Sequence, residues 1–328
     1  MPVSTGKKTA GVVFGALTFV VSVAVSLAIA EGVLRLKNTA MDNYDIEMWR
    51  YARELKVPSP DPSLGHEHKP SSAALLQSVE IRINDWGLRG GPVGPPVPGK
   101  RRILFLGGSI TLGWGVKEGE TLTARIERMF AEHGQAVDVL NAGIGNYNAP
   151  RYVERFLTRL TPLQPTDIVV HYFLRDAEVL ERGGGNVLLR NSELAVMLWI
   201  LGNRVLQQTG EASLVDHYRA VYEPASPGFL AMAESLRRLS EYAQRNHIRL
   251  CLAMVPDVHD LRHYRFQPIH ETMKRLAGQL GFVYVDLLPG LGGLAPQTIW
   301  AMPGDPHPNA LGHRRMAETL YPVLARTP

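Results

Sequence analysis

From position 101 onward the chain alternates between short apolar runs and longer stretches whose apolar residues recur every three or four positions. "RRILFLG" (101–107), "VDVLNAG" (137–143), "DIVVHYFL" (167–174), "IRLCLAMVP" (248–256) and "FVYVDLL" (282–288) read as buried strands. "TLTARIERMFAEHG" (121–134), "RYVERFLTRLTPL" (151–163), "FLAMAESLRRLSEYAQRN" (229–246), "PIHETMKRLAGQLG" (268–281) and "NALGHRRMAETLYPVLAR" (309–326) read as amphipathic helices. Gly134 stops the first of these, and Pro150 stands where the second would begin. Strands alternating with helices predict an α/β fold: a doubly wound parallel sheet with helices on both faces. Residues 183–226, which include "GGGN" and an apolar stretch around Trp199, break the alternation and read as an inserted flap.

The pattern before position 101 is of two kinds. Residues 9–30, "TAGVVFGALTFVVSVAVSLAIA", carry no charge and are apolar on every side. At about 1.5 Å per residue, a helix of this length crosses a hydrocarbon core of about 30 Å. Lys7 and Lys8 precede the run, and Glu31, Arg35 and Lys37 follow it. That bias favours the N-terminus inside and the remainder outside the cytoplasm. "AIA" at 28–30 also suits a signal-peptidase site, but the run is long for a signal sequence and "EGVLRL" continues its helical pattern, so an uncleaved anchor over residues 1–37 is the expectation. Residues 38–100 are polar and rich in proline and glycine, as in "VPSPDPSLGHEHKP" and "GGPVGPPVPGK". They predict a linker or loose lead-in with a short strand at "VEIRIND", ahead of a domain over 101–328.

Composition narrows the function classes. A net charge of +4 over 328 residues, with scattered basic residues, gives no case for nucleic-acid binding. The single cysteine, Cys251, lies in a core strand and makes neither an internal disulfide nor a cysteine-based metal site. "HEH" (66–68) and "HDLRH" (259–263) each lack a full ligand set nearby, so no metal and no cofactor are expected.

The chemistry gathers at the ends of strands. "ILFLGGSITLGWGV" (103–116) runs as a strand into Gly107 and Gly108 and places Ser109 just past its tip. In such sheets ligands bind at the carboxyl ends of the strands. "GDPHPNALGH" sets Asp305 and His307 in a proline-stiffened loop before the last helix, again beyond a strand end. A serine needs a base to take its proton, and the base needs a carboxylate to hold its tautomer. Ser109, His307 and Asp305 form such a set. Asp257, after the strand ending in "AMVP", lies at the same edge. The stretch is neither a phosphate loop, since no Gly-Lys-Ser/Thr follows, nor a G-x-S-x-G elbow, since Thr111 replaces the last glycine.

With these residues the chain resembles the SGNH (GDSL-type) hydrolases over about residues 80–325. "GGS" is similar to the family's Gly-Asp-Ser block, with Gly108 in place of the aspartate. "NAGIGNYN" (141–148) is similar to the glycine-bearing second block, and Gly145 or Asn146 would offer an oxyanion N–H. "FLRD" (173–176) falls on the third block, with Arg175 where the family has an oxyanion asparagine. Asp305, His307 and the helix after them match the fourth, and "NDWGLRG" (84–90) resembles the lead-in of membrane-anchored members. The resemblance implies a flavodoxin-like three-layer sandwich and a serine esterase working through an acyl-enzyme. It implies acyl groups, most readily acetyl, on extracytoplasmic carbohydrate in the bacterial periplasm or at the cell surface. Two alternatives stay open: an O-acyltransferase with the same triad, and a degenerate glycan-binding module. For Arg175 three roles stay open: oxyanion donor, clamp for an acidic substrate, or ion-pair partner of Asp176 or Glu178.

Overall fold

A computed structural model of the chain describes residues 5–180, 187–206 and 211–326. The chain divides into two compact units, residues 1–46 with 184–208, and residues 47–183 with 209–328.

In the first unit, helix α1 (Thr5–Asn38) is continuous through Ala28 and Ala30. Its stretch from Gly11 to Asn38 is long and apolar enough to cross a membrane. Helices α6 (Val187–Asn191) and α7 (Glu193–Leu206) are the unit's part of the insert. The "GGGN" of the expected flap lies outside the described residues.

The second unit is entered along α2 (Tyr44–Leu55). Two hairpins follow, β1 (Lys56–Pro58) with β2 (His66–His68), and β3 (Ser72–Leu76) with β4 (Val79–Ile83). Residues 47–100, read above as linker and lead-in, are therefore structured. Several of their apolar residues belong to the core: Tyr51, Leu55, Leu64, Leu76, Ile81 and Leu88 are buried. β3 and β4 alternate buried and exposed positions, so one face of the hairpin packs inward.

The central sheet is β5 (Arg102–Gly107), β6 (Asp138–Asn141), β7 (Asp167–Tyr172), β8 (Arg249–Met254) and β9 (Val283–Asp286), all parallel, in the order β6-β5-β7-β8-β9. This is the flavodoxin-like doubly wound order, and its switch point lies between β5 and β7. β5 and β7 are buried at every position because helices cover both faces. One core layer gathers Leu104, Leu106, Tyr152, Phe156, Leu236 and Met273. The opposite layer gathers Ile103, Phe105, Ile126, Phe130, Met316 and Leu320. The covering helices are α4 (Leu122–Glu132), α5 (Ala149–Arg155), α9 (Pro227–Arg245), α10 (Gln267–Gln279) and α12 (Ala310–Leu324). Thr121, Asn148, Ser226 and Asn309 cap four of them through their side chains. Short helices α3 (Ser109–Leu112) and α11 (Leu288–Leu291) follow β5 and β9, and α8 (Glu211–Val221) completes the insert.

Asp305 and His307 do not lie in an irregular loop. They belong to β11 (Asp305–Pro308), which pairs antiparallel with β10 (Trp300–Met302) in a small ribbon. A run as short and proline-rich as "DPHP" shows no strand signal of its own, so only the pairing with "WAM" reveals it.

Candidate active site

Ser109 opens α3 directly beyond the tip of β5, at the switch point of the sheet. The two glycines before it answer to space. A Cβ on Gly107 would fall 2.0 Å from Thr111 Oγ1 and 2.8 Å from the His171 carbonyl oxygen. A Cβ on Gly108 would meet the Tyr147 carbonyl oxygen at 3.3 Å, so the loop after β6 lies against the turn that carries Ser109. Arg89, in the lead-in "NDWGLRG", is buried and donates to the carbonyl oxygens of Leu112, Gly113 and Val116. It thereby closes the carboxyl end of α3 and the turn beyond it. Burial pulls its guanidinium down to about 10.

Ser109 Oγ lies 2.7 Å from His307 Nε2, and His307 Nδ1 lies 2.5 Å from Asp305 Oδ1. The carboxylate accepts only, so Nδ1 carries the proton and leaves Nε2 to accept from the serine hydroxyl. Asp305 Oδ1 also accepts the His307 backbone N–H at 3.0 Å. Its other oxygen accepts Gln77 Nε2 at 2.8 Å and Trp114 Nε1 at 3.1 Å. Burial works against the charge on Asp305, but the bonds from His307 and Gln77 prevail and hold its carboxyl below the usual range.

Sequence reasoning missed Gln77 and Trp114. Gln77 and Ser78 are the two central residues of the β3–β4 turn and both have positive φ, 49° and 59°. A two-residue turn of this kind ordinarily favours asparagine and glycine. The unusual turn residues were the available signal. Gly115, at φ 71°, leaves the room that the Gln77 amide fills, since a Cβ there would come 2.5 Å from Gln77 Oε1.

The second block is built differently from the expectation for Gly145. Its N–H donates to the Tyr51 hydroxyl at 2.9 Å, and its carbonyl accepts Lys56 Nζ at 2.7 Å. Its N–H thus has a partner within the fold. Tyr51 in turn donates to His68 Nε2 at 2.7 Å, and His68 Nδ1 donates to the Gly87 carbonyl at 2.9 Å. Burial keeps the His68 ring well below its ordinary value, in the neutral form this chain of bonds needs. Asn146 is exposed, at φ 63°. No bond from its backbone N–H, or from that of Ser109, is found among the described residues.

Arg175 is half-exposed, and its Nε pairs with Glu178 at 2.9 Å. Glu178 also meets His217 Nε2 of α8 at 3.0 Å. Asp176 is buried, accepts the Phe173 N–H and the Tyr152 hydroxyl, and is pushed by burial up to about 8. Asp257 is buried and bonded to His259 at 2.9 Å, while His263 pairs with Asp260. Of the "HEH" pair, His66 Nε2 meets the Gly145 carbonyl and His68 is bonded as above. Among the described residues no three His, Cys, Asp or Glu side chains are grouped to hold a metal ion.

The model of the GDSL-like lipase/acylhydrolase family matches residues 105–315, and the chain belongs to that family. It is an ester-bond hydrolase of the SGNH type. Among solved structures it is similar to TesA, at 17% identity and TM-score 0.44, covering 68% of this chain and 98% of that one. It is similar to the acetyl xylan esterase AlAXEase, at 15% identity and TM-score 0.41, covering 68% and 99%. It is also similar to LAE5, an α/β hydrolase from the metagenome of Lake Arreo, at 14% identity and TM-score 0.45, covering 69% and 95%. No curated protein matches the chain.

Proposed function

We propose that the protein is a membrane-anchored serine esterase that removes acyl groups, chiefly acetyl, from carbohydrate outside the cytoplasm. The observation that carries the chemistry is the chain of bonds from Ser109 Oγ through His307 to Asp305. Ser109 Oγ attacks the ester carbonyl carbon while its proton passes to His307 Nε2. The resulting imidazolium is held by Asp305. The oxyanion is met by the N–H groups of Ser109 and Asn146, for which no bond is found among the described residues. His307 then returns the proton to the leaving alcohol. Water, deprotonated by the same ring, attacks the acyl-enzyme and releases the acid and free Ser109. Asp305 is held in its charged form by His307 and by Gln77, which donates to its outer oxygen.

The location reading rests on the apolar stretch of α1 and on Lys7 and Lys8 ahead of that stretch. Outside the cytoplasm, O-acylated surface carbohydrate is one ester class within reach of such an enzyme. The test has two parts. A fluorophosphonate probe should label the full chain at Ser109, and acetylated polysaccharide should yield free acetate. Labelling without acetate release would retain the chemistry and discard the substrate. Acetate transferred to a second sugar would make the enzyme a transferase.

A further inference from the structure

The insert between the third and fourth central strands leaves the catalytic unit at 183 and rejoins it at 209, and the part between belongs to the unit of the apolar N-terminal helix. Its main element, α7, begins against the last turns of α1. The Glu31 carboxylate accepts the N–H groups of Glu193 at 3.0 Å and Leu194 at 2.9 Å, and the Ser192 hydroxyl at 2.9 Å. Arg35 donates to the Asn191 carbonyl at 2.8 Å, and Asn38 to the Glu193 carboxylate at 2.7 Å. Asn43 reaches Met197 Sδ at 3.6 Å. These contacts start one residue after Ala30, the last of the uncharged run. If that run crosses the bilayer, α7 starts where α1 leaves it.

From Leu194 to Asn203 α7 has no charged residue. Val196 is buried, whereas Leu198, Trp199 and Leu201 are 57%, 59% and 59% exposed. Leu188 of α6 is exposed as well. A face of this kind in water is a liability. At 14 residues, α7 is about 21 Å long, too short to span a core of about 30 Å. Short length, an open apolar face and a tryptophan at the level where an anchor emerges fit a helix lying in the membrane interface.

We propose that α7 is a second membrane element, seated in the outer headgroup and acyl boundary with Leu198, Trp199 and Leu201 toward lipid. This rests on reading α1 as an anchor. The insert would then tie the enzyme to the bilayer at a second point along the chain.

The test uses the full chain in vesicles of phosphatidylethanolamine and phosphatidylglycerol. Nitroxide labels are placed at Leu198→Cys and, separately, at Leu201→Cys. The one native thiol, Cys251, is buried and stays in place, with the unsubstituted protein as blank. Val20→Cys in α1 and Glu234→Cys on α9 serve as lipid and water references. Relaxation by oxygen and by a water-soluble nickel chelate is measured for each. The expected result is that labels at 198 and 201 prefer oxygen several-fold over nickel, as at 20 and opposite to 234. Nickel access at 198 and 201 equal to that at 234, with 20 still lipid-like, overturns the proposal alone. Shielding of 198 and 201 from both reagents also overturns it, because a protein surface then covers the face. Nickel access at 20 itself removes the anchor and this proposal together.

Discussion

Gln77, at the tip of a hairpin ahead of the central sheet, donates to the outer oxygen of Asp305, 228 positions later in the chain. The amide holds the carboxylate that in turn orients His307. Replacing Gln77 with alanine removes one hydrogen bond to a buried charge, about 1.5 kcal/mol, which is roughly tenfold if all of it appears in kcat. Gln77→Gly removes the same bond but suits the positive φ of the turn. Both variants should therefore lose kcat similarly, with Gln77→Gly the more stable of the two in thermal unfolding. Gln77→Glu should be worse than either, since it sets a carboxylate against a carboxylate. Unchanged kcat in all three would remove Gln77 from the positioning of the site.

Ser109→Ala should abolish probe labelling and turnover while the fold survives, because Gly107, Gly108 and Arg89 shape the turn without the hydroxyl. Asp305→Asn should lower kcat less than His307→Ala, since it spoils the tautomer of the base without removing it. Single-turnover kinetics on an aryl acetate would show both effects in the chemical step.

By the resemblance Arg175 falls where an oxyanion donor is expected, yet its guanidinium pairs with Glu178. Exposed pairs of this sort are worth about 0–1 kcal/mol. Arg175→Ala should leave kcat on a neutral aryl acetate within roughly threefold, with any loss following stability. A large drop in kcat at constant KM, rescued by Arg175→Asn, would instead place a donor at this position. A rise in KM confined to acidic acetylated glycans would assign it to substrate binding.

Acid should unfold the catalytic unit before it titrates exposed carboxylates. Burial holds His66 and His171 down to about 3 in the fold, against an ordinary 6.5. Between these values the unfolded chain binds the protons, so stability is intact above pH 6.5 and is lost as the pH falls toward 3. Asp305, also held low, acts in the same direction. Asp176, raised to about 8, opposes them over the range above its unfolded value. The midpoint of urea unfolding should fall steadily from pH 6.5 to 4, and His171→Asn should flatten that dependence. A midpoint constant over this range would contradict the buried neutral histidines.

The central sheet could be read from the chain because each of its strands is an apolar run that needs no partner to be recognised. The meeting of Ser109, Asp305 and His307 was legible for a related reason: glycine and proline fix their places beyond strand ends, and a parallel sheet gathers those ends on one edge. The supporting residues are another matter. Tyr51, Gln77 and Arg89 lie in a stretch whose prolines and glycines hide its buried positions, and each acts on a residue far away in sequence. Local pattern carries no trace of such pairings. Gly145 shows the same limit from the other side, since its place in the second block is visible but the Tyr51 hydroxyl that takes its N–H is not.

The span between Gln77 and Asp305 also sets an order in time. Synthesis at about 5–20 residues per second puts roughly 10–50 s between the emergence of the hairpin tip and that of the carboxylate it holds. Ser109 is made first, and His307 follows it 198 positions later. Until His307 and Asp305 emerge, Ser109 has neither beside it. On the proposed mechanism Ser109 gains its base only once the ribbon of Asp305 and His307 has been made and has closed beside it.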